Sequence, residues 1–218
     1  YHSLSHSLLA HGAKPDPADT ERGWTPLHHA ARRGDLAAIQ LLLHFGANPD
    51  ARADGNLVPL HIASAAIADH SAVVPLFASF GADINARTDA GATPIYFAAS
   101  RGRVEIVKAL LDNGAGYGFT DDEGWAPMHC AAVKGYAEVI RVLADAGAPV
   151  DLGDRAGLTP LMYAALRGNV GAVRMLLEKG AEVDRGDGRG GVSELRAIYG
   201  AANTGCVEVV RVLLEAGA

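Results

Sequence analysis

The sequence predicts an all-α protein in which pairs of short helices repeat along the chain and stack into a solenoid. Three observations predict this fold class. A Gly-Ala pair recurs with spacings of 34, 35, 33, 33, 33 and 37 residues. A Thr-Pro-Leu-His motif, intact or degenerate, recurs with a similar step. Between these two markers the apolar residues follow a helical rather than an alternating spacing.

The two markers divide the chain regularly. The Gly-Ala pairs begin at Gly12, Gly46, Gly81, Gly114, Gly147, Gly180 and Gly217. The second marker occurs as Thr25-Pro26-Leu27-His28, Val58-Pro59-Leu60-His61, Thr93-Pro94-Ile95-Tyr96, Ala126-Pro127-Met128-His129, Thr159-Pro160-Leu161-Met162 and the decayed Arg196-Ala197-Ile198-Tyr199. Several copies in register are far more specific than one motif would be.

Each element of the repeat follows from its residues. Thr25 is predicted to cap a first helix that begins at Pro26, where the missing N–H of proline costs nothing. A glycine such as Gly34 ends this helix and permits a tight turn. A second, amphipathic helix follows and ends at the Gly-Ala pair. Polar residues, as in Asp121–Gly124, then form a β-turn finger that leads to the next Pro.

This repeat resembles the ankyrin repeat, a 33-residue unit with the signature T-P-L-H-x-A. The resemblance covers essentially the whole chain and implies one array of helix-turn-helix units with β-turn fingers. We expect a partial repeat at 1–18, full repeats at 19–52, 53–87, 88–120, 121–153 and 154–183, and a divergent repeat with an extended finger at 184–218.

Two repeats depart from the pattern. The repeat around residue 60 has two extra residues between its helices, and Pro75 is expected to remove a backbone bond and kink its second helix. Asn56 stands where the other repeats have a finger glycine, and asparagine tolerates a left-handed backbone. The last repeat has four extra residues in its finger and lacks Thr-Pro. We expect these two repeats to be the least stable.

Composition excludes several classes of protein. The net charge is −6, so no basic surface for nucleic acid is expected. No apolar run is long enough for a membrane span. The 2 cysteines, Cys130 and Cys206, cannot form a disulfide framework and favour an intracellular, cytoplasmic location, with the nucleus left open.

The chain starts at Tyr1 without an initiator Met, and apolar residues of its last helix (Val209, Leu213 and Leu214) lack a cap. We therefore expect a monomeric piece of a longer polypeptide with further repeats or domains.

A search for catalytic motifs finds none that fits its context. Gly186, Gly188 and Gly191 match G-x-G-x-x-G, but no apolar strand precedes them, so no dinucleotide or other cofactor is expected. The tripeptide Arg185-Gly186-Asp187 in the same loop is interpreted as coincidence. No phosphate-binding loop, nucleophile elbow or zinc-protease motif occurs. The sequence therefore indicates a protein that is not an enzyme.

The histidines and cysteines are given mainly structural roles. The resemblance implies that His28, His61 and His129 hydrogen-bond to backbone between repeats. His2 and His6 could share a helix face and a metal, but no other ligand joins them, so no metal site is expected. Cys130 is predicted to be a small buried side chain. Cys206 begins a helix and stays a weak redox candidate.

The candidate binding residues are large aromatic and charged side chains that are expected to be exposed in the fingers and first helices. The resemblance implies that such arrays bind proteins through the finger tips and the concave surface of the first helices. Trp24 and Trp125 lie two residues before the repeat prolines, and tryptophan is enriched at binding hot spots. Asp122 and Glu123 add an acidic finger tip beside Trp125. Alternatively, each tryptophan merely covers a neighbouring finger.

Two columns of basic residues repeat along the chain. The inner column ends the first helices, and the outer column lies midway along the second helices. The inner residues are Arg33, Arg101, Lys134 and Arg167, and the outer residues are Lys108, Arg141, Arg174 and Arg211. The outer column is interpreted as a solvated face. The inner column could bind an acidic segment of a partner.

The sequence therefore predicts a scaffold that binds another protein or peptide through Trp24, Tyr96, Arg101, Asp122, Glu123, Trp125 and Lys134. The alternative is a regulatory or targeting segment that docks in cis on a larger enzyme, channel or receptor. An enzyme within these residues is the least favoured hypothesis.

Overall fold

The structure is a computed structural model that describes residues 14–66, 70–187 and 196–218. In these ranges it contains twelve α-helices in six pairs and no β-strand. The first helices of the pairs are α1 (Pro26–Arg33), α3 (Pro59–Ser64), α5 (Pro94–Ser100), α7 (Pro127–Lys134), α9 (Pro160–Leu166) and α11 (Ala197–Asn203). The second helices are α2 (Leu36–His44), α4 (Val73–Ser79), α6 (Val104–Asp112), α8 (Ala137–Asp145), α10 (Val170–Glu178) and α12 (Val207–Glu215).

The helices form two stacked layers. Each first helix packs on the first helix of the next pair, and the second helices do the same. Each first helix also packs on the second helix of its own pair. Apolar side chains between the layers are fully buried, including Leu27, Leu60, Phe77, Ile106 and Leu143. This arrangement confirms the predicted all-α solenoid, in which each repeat contacts its neighbours.

The helices begin and end where the markers predict. Five first helices have proline as their first residue. The glycines of the Gly-Ala pairs from Gly46 onward follow the second helices with a left-handed backbone, for example φ 85° at Gly46. Asn56 has φ 57° and is the sole residue other than glycine with positive φ in the described chain. It therefore replaces the finger glycine in the predicted conformation.

Paired alanines let the first helices stack closely. Ala98, Ala99, Ala131 and Ala132 are all 0% exposed. A larger side chain at such a position would have to push neighbouring first helices apart. The abundance of alanine in the sequence, 41 residues, is thus in part a packing requirement of the stacked first helices.

The prediction that Pro75 kinks its helix is wrong. Helix α4 starts at Val73, so Pro75 is its third residue. The N–H groups of the first turn have no acceptor within a helix, and a proline there removes no helical hydrogen bond. The prediction assumes that Pro75 lies in the interior of this helix.

The last second helix is covered differently from the prediction. Val209 and Leu213 are 0% exposed within the described chain, so the expectation that these two residues lack cover is wrong. Val207 and Leu214 are 78% and 56% exposed. The matching residues of the preceding repeat, Val170 and Leu177, pack against the core.

Candidate protein-binding surface

The fingers are joined to one another by backbone hydrogen bonds. Within a finger, the strand-like arms pair, as in Asp121 N–H to the Trp125 carbonyl at 3.0 Å. Between fingers, each bond spans neighbouring repeats and is 2.9–3.1 Å long; the pairs are Asp54 to Arg22, Asp89 to Gly55, Asp122 to Ala90 and Arg155 to Glu123. The fingers therefore form one continuous surface beside the first helices.

An aspartate shapes the finger that carries Trp125. Oδ1 of Asp121 accepts the backbone N–H groups of Glu123 at 3.0 Å and Trp125 at 2.8 Å. Its Oδ2 accepts the hydroxyl of Tyr96 from the preceding repeat at 2.8 Å. The carboxylate thus fixes both the turn and the position of an aromatic ring on the adjacent first helix.

Asp154 makes the same kinds of hydrogen bond in the next finger, all of them to residues of its own repeat. Oδ1 of Asp154 accepts the N–H groups of Ala156 at 2.8 Å and Leu158 at 2.9 Å. Its Oδ2 accepts the hydroxyl of Tyr163 at 2.6 Å. The rings of Tyr163 and Trp125 meet with centroids 4.6 Å apart at 54°. Two aspartates therefore hold two tyrosines around one partly exposed tryptophan.

An open cavity of about 640 Å³ lies between these two fingers. Its lining residues are Tyr96, Asp121, Glu123, Trp125, Asp154, Arg155, Ala156 and Tyr163. Three of the predicted binding residues, Tyr96, Glu123 and Trp125, come together here. Asp122 is exposed on the same finger, where its backbone N–H bonds to Ala90.

Trp24 does not have the exposure that the sequence suggested. Its side chain is only 8% exposed and lies against the rings of His28 and His29. The guanidinium groups of Arg22 and Arg32 each lie 5.5 Å from its ring centroid. The expectation that Trp24 is an exposed anchor is wrong, because residues of its own repeat cover it. A contribution of Trp24 to binding stays a prediction.

Cys130 is buried, whereas Tyr96 is half-buried and lines the cavity. Burial raises the pKa of the Cys130 thiol to about 12, so it is a neutral thiol, as predicted for a small buried side chain. Burial also raises the pKa of the Tyr96 hydroxyl, and the nearby thiol and carboxylate act in the same direction. Tyr96 therefore stays protonated and donates to Asp121.

The three motif histidines connect neighbouring repeats, as the resemblance implied. In His28, His61 and His129 the Nδ1 atom accepts the backbone N–H three residues earlier at 3.1 Å. Their Nε2 atoms lie 3.1–3.2 Å from carbonyl oxygens of the next repeat, those of Leu57, Ala92 and Leu158. Nε2 of His61 also lies 3.0 Å from the carbonyl of Ala86 at the end of its own repeat. Burial lowers the pKa of all three, so the rings are neutral.

The two basic columns have different surroundings. Each residue of the outer column has a carboxylate partner: Lys108 with Glu105, Arg141 with Glu138 and Asp145, and Arg174 and Arg211 with Glu208. The inner residues Arg33, Arg101, Lys134 and Arg167 are exposed and make no ion pair with another described residue. Their positive charge is therefore open to solvent at the C-terminal ends of the first helices.

The remaining sequence candidates show no common site in the described ranges. Asp187 is 8% exposed, so the tripeptide that contains it does not display its carboxylate. Cys206 is partly buried beside the Thr204 hydroxyl. His2, His6, Gly188 and Gly191 lie outside the described residues. In the described chain, no cluster of three or more histidine, cysteine or acidic residues could hold a metal, and no helix is long and apolar enough to cross a bilayer.

Sequence reasoning missed four charged or aromatic residues that line the cavity: Asp121 as the organiser of its finger, and Asp154, Arg155 and Tyr163 from the next repeat. Asp121 was visible as part of an acidic tip. Asp154 and Tyr163 are nine residues apart, a spacing that no helix or strand period singles out. One usable signal was the recurrence of aspartate at the same finger position in two successive repeats.

Comparison with known proteins decides the family. A family model described as ankyrin repeats (3 copies) matches residues 1–88, 60–154, 95–187 and 147–218. The chain belongs to the ankyrin-repeat family. The crystal structure of the ankyrin repeat domain of Bcl-3, a member of the IkappaB protein family, superposes with a TM-score of 0.78 at 29% identity. It covers 91% of this chain and 88% of that one.

Curated relatives match a smaller part of this ankyrin array. The E3 ubiquitin-protein ligase KEG of Arabidopsis thaliana is 39% identical over 62 residues, which are 28% of this chain and 4% of the ligase. The 2-5A-dependent ribonuclease of Mus musculus is 39% identical over 56 residues, 26% of this chain and 8% of the ribonuclease. The 2-5A-dependent ribonuclease of Homo sapiens is 36% identical over 63 residues, which are 29% of this chain and 8% of the ribonuclease. The matched segments are thus small parts of these relatives.

Proposed function

We propose that this ankyrin array is a protein-interaction scaffold that binds a partner protein or peptide through its fingers and first helices. Ankyrin repeats are in general protein–protein interaction modules. The observation that carries the proposal is the cavity between two fingers, where Trp125 and Tyr163 lie beside acidic side chains. Aromatic anchors in a concave site are typical of binding hot spots.

The distribution of basic residues supports the same assignment of the binding surface. The outer basic column is paired with carboxylates, whereas the inner column, at the C-terminal ends of the first helices, makes no ion pair with another described residue. Unpaired charges are available to a partner without first breaking an internal ion pair. Basic first helices next to acidic finger tips would fix the orientation of an extended, charged partner.

The test compares three forms of the array as affinity baits, with retained proteins quantified by mass spectrometry. The double variant Trp125→Ala, Glu123→Lys should lose a set of proteins that the unmodified array retains. The double variant Lys108→Gln, Arg174→Gln changes paired charges on the outer column and should retain that set. Equal retention by all three baits would refute the assignment of the binding surface.

A second candidate is a segment that docks in cis within a larger protein. It is supported by the relatives, because the matched repeats occupy 4–8% of a ubiquitin ligase and a ribonuclease. Cross-linking the full-length polypeptide should then join Lys134 to residues outside the array. Lys108, on the outer column, is the matched position that should not cross-link.

A further inference from the structure

Trp24, two residues before the proline of its repeat, binds cationic side chains of its own repeat. Two guanidinium groups, those of Arg22 and Arg32, each lie 5.5 Å from the centre of its indole ring. Trp24 is buried beneath them. A guanidinium over a tryptophan face is a favourable cation–π contact, and the planar group also stacks on the ring.

Trp125 occupies the same slot, but its repeat lacks both arginines. Arg22 lies two residues before Trp24, and the residue two before Trp125 is Glu123. Arg32 lies eight residues after Trp24, and the residue eight after Trp125 is Val133. No guanidinium or ammonium group of a described residue lies over the Trp125 ring as two do over Trp24.

The surroundings of Trp125 favour a cation from another molecule. The cavity contains the carboxylates of Asp121, Glu123 and Asp154 against one cation, Arg155. Both aspartates already accept two backbone N–H groups and a tyrosine hydroxyl. Glu123 is exposed, and its side chain makes no hydrogen bond or ion pair with a described residue. Its carboxylate is therefore free to pair with an incoming group.

We propose that the cavity between the fingers of Asp121 and Asp154 binds an arginine side chain of the partner protein. The guanidinium stacks on Trp125 between Tyr96 and Tyr163, and Glu123 accepts its N–H groups. Arginine fits better than lysine because its flat group stacks on aromatic rings and pairs with a carboxylate through two hydrogen bonds. This assignment rests on the proposed function, since it names the chemistry that the partner presents.

The chain contains only two tryptophans, so each has its own indole N–H signal in a nitrogen-15 NMR spectrum. The probe is N-acetyl-arginine amide, with N-acetyl-citrulline amide as a neutral probe of the same shape. The Trp125 signal should shift and saturate with the arginine probe, while the Trp24 signal stays in place. A Trp125 signal that does not respond, or responds equally to citrulline, would overturn the proposal.

N-acetyl-lysine amide tests the preference for arginine. It should bind several-fold more weakly than the arginine probe, because an ammonium group neither stacks nor pairs in a bidentate way. Equal affinity for the two probes would overturn the assignment of arginine as the ligand.

The double variant Glu123→Arg, Val133→Arg gives Trp125 the surroundings of Trp24. It should weaken binding of the arginine probe at least about tenfold, because cations of the chain itself then cover the ring. Glu178→Arg changes the charge in the same direction on an exposed second-helix position and should bind as the unmodified array does. A far-UV circular dichroism spectrum and a urea unfolding midpoint equal to those of the unmodified array show that each variant is folded. Unchanged affinity in the double variant would refute the site.

The affinity-bait experiment separates this proposal from the proposed function. Loss of retained proteins in Trp125→Ala, Glu123→Lys together with a Trp125 signal that ignores arginine would leave the scaffold function standing and reject the arginine site. Retention of all proteins by that variant, together with a saturable arginine shift, would reject the binding surface and leave a small-molecule-sized cation site.

Discussion

Asp50 accepts the backbone N–H of Asp83 with both carboxylate oxygens, at 3.0 and 3.1 Å. Asp83 follows the Gly-Ala pair of the next repeat, so this bond joins two repeats. The same bond joins Asp16 to Asn48 at 3.0 Å, Asn85 to Gly116 at 2.8 Å, and Asp151 to Glu182 at 3.1 Å. A side-chain acceptor thus links successive repeats below the second helices.

Two substitutions of Asp50 should distinguish the stability that its hydrogen bonds contribute from the destabilisation caused by burying its charge. Asp50→Ala should lower the free energy of unfolding by about 1 kcal/mol, because the N–H of Asp83 loses its acceptor. Burial raises the pKa of Asp50, so the charged form is disfavoured there. Asp50→Asn, which imitates Asn85, should therefore stay within about 0.5 kcal/mol of the unmodified chain. Urea unfolding at pH 7 measures both, and equal losses would contradict this account.

Gly118 and Pro149 occupy the corresponding positions in the next pair of repeats, and they can form no such bond. Gly118 has no side-chain acceptor, and Pro149 has no N–H. The double variant Gly118→Asp, Pro149→Asn should restore the link and stabilise the array by about 1 kcal/mol beyond the sum of the single variants. A double-mutant cycle of urea unfolding measures that coupling. Strictly additive single variants would show that no bond forms.

Much of the fold could be predicted because the repeat is specified locally. Proline at the first helical position, glycine after the second helix and paired alanines act within a few residues. Their positions in the sequence therefore set the helix boundaries, except at Pro75, where the connection before the second helix is longer.

The candidate site was less predictable because it depends on neighbours from different segments. Trp24 and Trp125 share one slot, yet Arg32 from the following helix covers Trp24. Tyr163 reaches Trp125 from the next repeat, and its position is set by Asp154. A sequence motif identifies the slot, but the exposure of each tryptophan depends on these more distant side chains.

Pro75 offers a direct check of the corrected helix start. If Pro75 lies in the first turn of α4, its replacement by alanine restores no helical hydrogen bond. Pro75→Ala should then leave the array equally stable or destabilise it by up to about 1 kcal/mol, because alanine gives the unfolded chain more freedom. Thermal and urea unfolding measure the change. A gain of stability near 3 kcal/mol would instead support a strained proline in the helix interior.

Gly157 should be far more sensitive to substitution than Gly180. Both have a left-handed backbone, with φ 80° and 88°. A Cβ atom on Gly157 would lie 1.9 Å from the carbonyl oxygen of Asp187, whereas one on Gly180 would meet no atom within 4 Å. Gly180→Ala should cost roughly 1 kcal/mol for its backbone alone. Gly157→Ala should cost at least about 1 kcal/mol more, because the two fingers must separate. Equal losses in urea unfolding would contradict close packing of the two fingers.

His61 should make the array less stable as the pH falls below neutrality. Burial lowers its pKa to about 4, below the ordinary value of 6.5 that it has when unfolded. Between these values the unfolded chain binds the extra proton, so stability is fully present above pH 6.5 and is lost as the pH falls towards 4. Across this window His61 accounts for roughly 3 kcal/mol, at a slope of up to about 1.4 kcal/mol per pH unit.

The measurement is the free energy of urea unfolding at several pH values between 4.5 and 7. His61→Gln removes the titrating ring and should give a shallower dependence on pH, even though its stability at pH 7 is lower. His44→Gln changes an exposed histidine at the end of α2 and should keep the slope of the unmodified chain. The same slope in all three proteins would mean that protonation of His61 does not oppose folding. His28 and His129 have pKa values lowered by the same burial, so His61→Gln should reduce the slope without abolishing it.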